Sequence, residues 1–241
     1  MKDNLQDLIQ YVHGLNVIEL IKVSGTDTKT VVSAIAEDKS VVVEGTFATP
    51  LADFIGTFGM PNLGKLKTIL SLEEIYDDKA EIRVERNKDD IPVNIYFNSK
   101  TIRSHDNYRL MAKAIVEEKV KDVKFKGAAW NVEFEPTIAG ISVLKKKAMV
   151  HSEEANFTAK TDKNDLMIYF GDQSSHNGGF AFHSGVSGTL SRAWQWPVKV
   201  FLAIMDLPGT KTVRISDQGA AEVTVDSGLA TYRYLLPAQS K

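Results

Sequence analysis

The sequence predicts an α+β protein made of two similar halves, each an antiparallel sheet with two amphipathic helices laid on one face. Three observations predict it. First, one phrase occurs twice, as FGMPNLGKLKTIL from Phe58 and WQWPVKVFLAIM from Trp194. Phe58, Met60 and Pro61 recur 136 positions later as Trp194, Trp196 and Pro197. Second, each half has two stretches with apolar residues at helical spacing. Third, most other apolar runs alternate with polar residues, as half-buried strands do. Two helices cannot cover both faces of so many strands, so the second sheet face meets solvent.

The elements follow in order. Leu5, Leu8, Ile9 and Val12 share one helical face, with Asp3 or Asn4 able to cap it. The stretch 136 residues on, ISVLKKKA (141–148), puts Ile141, Leu144 and Ala148 on the corresponding face, and Thr137 is placed to cap that helix. VIELIKV (17–23), KTVVSAIAE (29–37) and SVVVEGTF (40–47) read as strands; NFTAKT (156–161), DLMIYFG (165–171) and GGFAFHSG (178–185) are their counterparts. Each repeated phrase then opens a second helix, and proline costs nothing there because its missing N–H has no partner in a first helical turn. AEIRVER (80–86) and PVNIYFN (92–98) follow the first; KTVRISD (211–217), AEVTVDS (221–227) and LATYRYLL (229–236) follow the second. The expected domains are 1–120 and 132–241. Residues 121–131, charged and then rich in small side chains, form the linker.

Composition narrows the class. The 241 residues are 43% hydrophobic and 25% charged, which fits a globular chain. The absence of cysteine excludes disulfides and thiolate metal sites. The N-terminus lacks a signal-peptide core, and no run nears the roughly 20 apolar residues of a membrane helix; the expectation is a soluble, cytoplasmic protein. The net charge is −2, with 15 Lys+Arg against 19 Asp+Glu in residues 1–120 and 14 against 12 in the rest. A protein whose whole surface grips nucleic acid is basic overall. Here the basic residues would have to gather on one face.

The order of elements, NLGKLKTILSL (62–72) and the ending GLATYRYLLPAQSK (228–241) resemble the DNA sliding clamps, polymerase processivity factors, in the two-domain form of large tailed bacteriophages, archaea and eukaryotes. The resemblance spans nearly the whole chain. It implies a homotrimeric ring, assembled head to tail from six similar domains, with sheets outside and helices lining a hole. Duplex DNA threads that hole without sequence preference, the ring tethers DNA polymerase, and a clamp-loader ATPase opens it. No cofactor and no catalytic residue are implied. Lys145, Lys146 and Lys147, with Lys65, Lys67 and Lys199 on the proline-started helices, would meet phosphates. Such contacts carry no sequence information. Tyr234, Leu236 and Pro237 match the family's ending, which forms part of a pocket for partner peptides, with Phe125 and Trp130 as candidates for its other wall.

Other motifs are weighed against this. GMPNLGK (59–65) spells the start of a phosphate-binding loop, but Leu66 stands where Ser or Thr would ligate magnesium, and Pro61 removes an amide donor. His176 and His183 bracket HNGGFAFH, which reads as strand-turn-strand and lacks the further ligands that a metal site needs. The alternative function is a structural virion protein with a duplicated β-rich domain.

Overall fold

The computed structural model describes residues 1–121, 125, 127–172, 174 and 176–239. The first half runs α1 (Lys2–Tyr11), β1 (Leu20–Gly25), β2 (Thr30–Ile35), β3 (Val42–Phe47), β4 (Gly56–Pro61), α2 (Leu63–Ser71), β5 (Glu81–Arg86), β6 (Pro92–Ser99) and β7 (Ser104–Arg109). The short helix α3 (Lys113–Lys119) and strand β8 (Val132–Phe134) follow. The second half runs α4 (Ile138–Val150), β9 (Asn156–Asp162), β10 (Asp165–Phe170), β11 (Gly178–Ser184), β12 (Gln195–Pro197), α5 (Val198–Asp206), β13 (Thr210–Ser216), β14 (Ala220–Asp226) and β15 (Ala230–Pro237).

The repeat holds at the level of strand register. Ile21 pairs with Met60 and Leu20 with Pro61; Phe157 pairs with Trp196 and Asn156 with Pro197. All four second-half residues lie 136 positions after their counterparts. The strand orders match too, β4-β1-β2-β3 in the first half and β12-β9-β10-β11 in the second. Beyond the second helices the offset shortens, because residues 72–80 join α2 to β5 whereas only 207–209 join α5 to β13. Ser104 opens β7 and Ala230 opens β15, an offset of 126. Tyr108 and Leu110 then correspond to Tyr234 and Leu236, and all four are buried.

Contacts gather into two units. The first is Met1–Glu37, Val43–Val123 and Ser227–Tyr232; the second is Asp38–Val42, Lys124–Asp226 and Arg233–Lys241. In the first, Leu5, Leu8 and Ile9 of α1 and Leu66 and Ile69 of α2 are buried with Ile21, Val23, Phe58 and Met60. The opening of β15 belongs here, beside β3. Tyr232 stacks on Tyr11 with ring centroids 4.9 Å apart and donates its hydroxyl to the buried Asp7 carboxylate at 2.7 Å. Gly45 is glycine for this reason, since a Cβ there would come within 2.7 Å of the Tyr232 ring. In the second unit, Leu144 of α4 and Phe201 and Ile204 of α5 are buried with Phe157, Ile168, Phe182 and Trp196.

The structure corrects several expectations. α1 begins at Lys2, so Asp3 and Asn4 lie inside its first turn and no side chain caps it. Thr137 does cap α4, accepting the Gly140 N–H at 3.0 Å. Pro61 and Pro197 close short strands rather than standing in a first helical turn; each helix starts just after them. β7 and α3 were not foreseen, because SHDNYR is polar throughout and α3 is only seven residues long. Of the expected linker, residues 122–124 and 126 lie outside the described residues.

Candidate functional site

α4 is exposed for most of its length. Only Gly140, Leu144 and Ala148 are buried, spaced one turn apart. At 100° per residue, Lys146 lies on the solvent-facing crest, Lys145 on one flank and Lys147 on the other. Lys145 forms an ion pair with Asp206 at the end of α5, which identifies its flank as the α5 side. Val143, Lys147 and Val150 share the opposite flank. Apolar side chains interrupt the basic ones, with Ile138 at 90%, Met149 at 70% and Val150 at 69% exposure.

Asp206 sits among cations. Lys211 donates its ammonium to the carbonyls of Leu207 and Gly209, closing the end of α5. Burial depresses the Lys211 pKa and the nearby Lys145 charge adds to that, while Asp206 partly offsets both. Lys199 is exposed at the start of the same helix, seven residues before Asp206.

The corresponding face of the first unit differs. Lys65 and Lys67 of α2 are exposed. Lys67 lines a groove of about 400 Å³ with Gln6, Ile9, Gln10, Leu70 and Ser71. Beside it, Asp3, Glu73, Asp77 and Asp78 surround Lys2, which donates to the Tyr76 carbonyl at 3.0 Å and faces Asp78 at 3.7 Å.

The phosphate-loop reading fails on geometry. Gly59 to Pro61 are paired along β1, and the Gly64 N–H at the start of α2 donates to the Glu19 carboxylate at 3.2 Å. The protein's own anion occupies that helix start. His183 lies in β11 with its ring 4.9 Å from that of Phe134. Among the described residues, no group of three or more His, Asp or Glu is placed to hold a metal ion, and no helix is long and apolar enough to cross a membrane.

No family model matches the chain, and no curated relative matches its sequence. Solved structures do match. A. fulgidus PCNA, solved with the C-terminal region of FEN-1 bound, is similar over 100% of this chain and 96% of its own, at 9% identity and a TM-score of 0.72. PCNA from Thermococcus kodakaraensis is similar over 99% and 97%, at 10% identity and a TM-score of 0.66. The chain has the sliding-clamp fold.

Within the clamp fold, the ending of the chain is more buried than its sequence suggests. Tyr234 and Leu236 are fully buried, whereas Pro237 is exposed. After β15 the chain is held by two backbone bonds, Ala238 N–H to the Gly219 carbonyl at 2.9 Å and Gln239 N–H to the Gln195 carbonyl at 2.8 Å. Trp194 is half-buried nearby. Its indole N–H donates to the Asp217 carbonyl at 2.8 Å, and a Cβ on Gly219 would touch both Trp194 and Ala238 at 3.3–3.4 Å. Phe125 and Trp130 lie 5.9 Å apart, centroid to centroid. Sequence alone does not single out Trp194 or Asp206. Trp194 was visible only as punctuation, and nothing local in sequence ties Asp206 to Lys145. Asp106 stands out only once β7 is matched to β15.

Proposed function

We propose that the protein is a sliding clamp: a homotrimer that encircles duplex DNA, slides on it without chemistry of its own, and tethers a DNA polymerase. A clamp-loader ATPase would open and close it. The observation that carries this is the unequal fate of equivalent strands. β3 has β15 beside it, but their counterparts β11 and β7 each end a sheet among the described residues. An open edge needs a cover. If β7 of one copy lies beside β11 of the next, the β15–β3 pairing is repeated between copies. Such a head-to-tail contact closes into a ring when its rotation permits, and three copies supply six similar halves.

Lys145 and Lys146, with Lys65, Lys67 and Lys199, are the proposed phosphate contacts. Each adds about −0.9 to the slope of log affinity against log salt, and ring closure supplies the retention that such weak contacts lack. The surface at Pro237 and Trp194, above the buried Tyr234 and Leu236, is the proposed dock for a partner's terminal peptide, in line with the FEN-1 segment bound to the A. fulgidus protein. The likeness of residues 62–72 to the second helix of phage clamps supports a place nearer the phage members. The test is topological. Once loaded, the protein should stay on closed circular DNA and leave when the circle is cut. Equal loss from both forms would sink the proposal.

A further inference from the structure

Resting on the head-to-tail reading above, we infer that an ion pair between Lys147 of one copy and Asp106 of the next locks adjoining copies together. The internal repeat locates it. Within the first unit, α1 meets the start of β15 through three residues: Asp7 accepts the Tyr232 hydroxyl at 2.7 Å, and Tyr11 stacks on the Tyr232 ring. The 136-residue offset carries Asp7 to Val143 and Tyr11 to Lys147. The 126-residue offset carries Tyr232 back to Asp106.

The burial of these equivalents agrees. Asp7 is 7% exposed and Tyr11 3%, whereas Val143 is 40% exposed and Lys147 is half-buried. On the strands, Tyr232 is fully buried and Asp106 is half-exposed. Thus, among the described residues, the α4 flank away from α5 lacks the cover that α1 has, and β7 lacks the helix that β15 has. The chemistry is complementary. The helix tyrosine Tyr11 stacked on a strand tyrosine in the first unit becomes a helix lysine facing a strand carboxylate between copies. Val143 and Val150 would supply apolar contact on either side of Lys147. The carboxylate is already oriented, since Asp106 accepts the Tyr76 hydroxyl at 2.6 Å. Of the three adjacent lysines, Lys147 is therefore the one that faces the next copy, leaving Lys145 and Lys146 for DNA.

The experiment is a charge swap on the full chain, read by sedimentation across concentration. The wild-type chain should assemble. Lys147→Glu should raise the concentration for half-assembly by about a hundredfold or more, because like charges then face each other at the contact. Asp106→Lys should do the same, and the double variant should recover most of the loss. Asp106→Asn, which retains an acceptor for Tyr76, covers the case in which Asp106→Lys does not fold. Wild-type trimers with Lys147→Glu and Asp106→Asn assembling equally well would overturn the ion pair and leave the ring intact. A wild-type chain that stays monomeric at every concentration would overturn the ring and the ion pair together.

Discussion

α1 and α4 occupy the same place in two copies of one plan, yet they do opposite jobs. α1 buries half of its ten residues, including a carboxylate. α4 buries three of thirteen and exposes isoleucine, methionine and valine beside three lysines. Charge follows the same division. Both helices of the first half and the connection after α2 (2–11 and 63–80) hold four lysines against six carboxylates; their counterparts (138–150 and 198–209) hold four against one. The two helices hold equivalent places in the repeat, but α1 is covered along the flank that meets Tyr232 whereas α4 is exposed along the flank that carries Val143. Exposed apolar side chains scattered singly need no explanation. Val143 does, because its counterpart Asp7 is buried where α1 meets Tyr232.

The largest expected effect comes from breaking the covered half of this comparison. Tyr232→Ala removes a fully buried ring and leaves Asp7 without its hydroxyl donor, so the chain should lose about 3–5 kcal/mol. Its counterpart Asp106→Ala should cost about 1 kcal/mol in the isolated chain, the worth of the hydrogen bond from Tyr76. Denaturant melts below the assembly concentration measure both. Equal losses would mean that the two positions are not counterparts in packing.

A smaller effect separates the two helical faces by their response to salt. On a short linear duplex, Lys146→Ala should reduce the salt slope by about 0.9, so that its loss of affinity between 50 and 200 mM salt is roughly 3–4-fold smaller than that of wild type. Asp206→Asn should act the other way. It releases Lys145 from its ion pair and removes a negative charge from the same face, so the slope should steepen by up to about 0.9. Asp206 would then hold the grip on DNA below its maximum, which suits a protein that must slide. A slope that Asp206→Asn leaves unchanged, beside one that Lys146→Ala reduces, would restrict the DNA contact to the crest of α4.

Much of this plan was legible in the sequence, and the reasons for the rest are physical. The 136-residue offset appeared in Phe58, Met60 and Pro61 because Met60 and Trp196 fill equivalent core positions, with Phe58 buried and Trp194 half-buried beside them, and cores constrain residue type strongly. It located α4, α5, β9 and β12. β7 escaped because an edge strand carries little apolar alternation, which is also what protects it from indiscriminate pairing. The lysines were legible as charge, but which flank each takes depends on Asp206, 61 positions away. Tyr234 and Leu236 matched a binding-pocket ending in sequence and proved to be interior in space, because alternate residues of β15 point into the core.

The smallest effect compares two carboxylates, one in each unit. Burial raises the pKa of Asp7, only partly opposed by hydrogen bonds from Tyr232 and Ser227. Burial also pushes Asp217 upward, but the Ser191 hydroxyl and amide, the Arg192 amide and the Arg192 charge outweigh it, and its pKa is lowered. The two must therefore bend stability against pH in opposite directions. Folded Asp7 holds its proton more tightly than the unfolded chain does. Its contribution is greatest below the unfolded value near 4 and is lost as pH rises through the folded one. Folded Asp217 favours the ionised form, so its contribution is present above the unfolded value and is lost as pH falls through the folded one. Asp7→Asn should thus gain on wild type as pH climbs from about 3 to 7, whereas Asp217→Asn should fall behind it over the acid end of that range. Each difference curve cancels the titrations that both proteins share. A flat curve for Asp7→Asn would mean that the Tyr232 hydroxyl fully compensates the buried charge, and α1 would then tolerate an ion in its core at no cost.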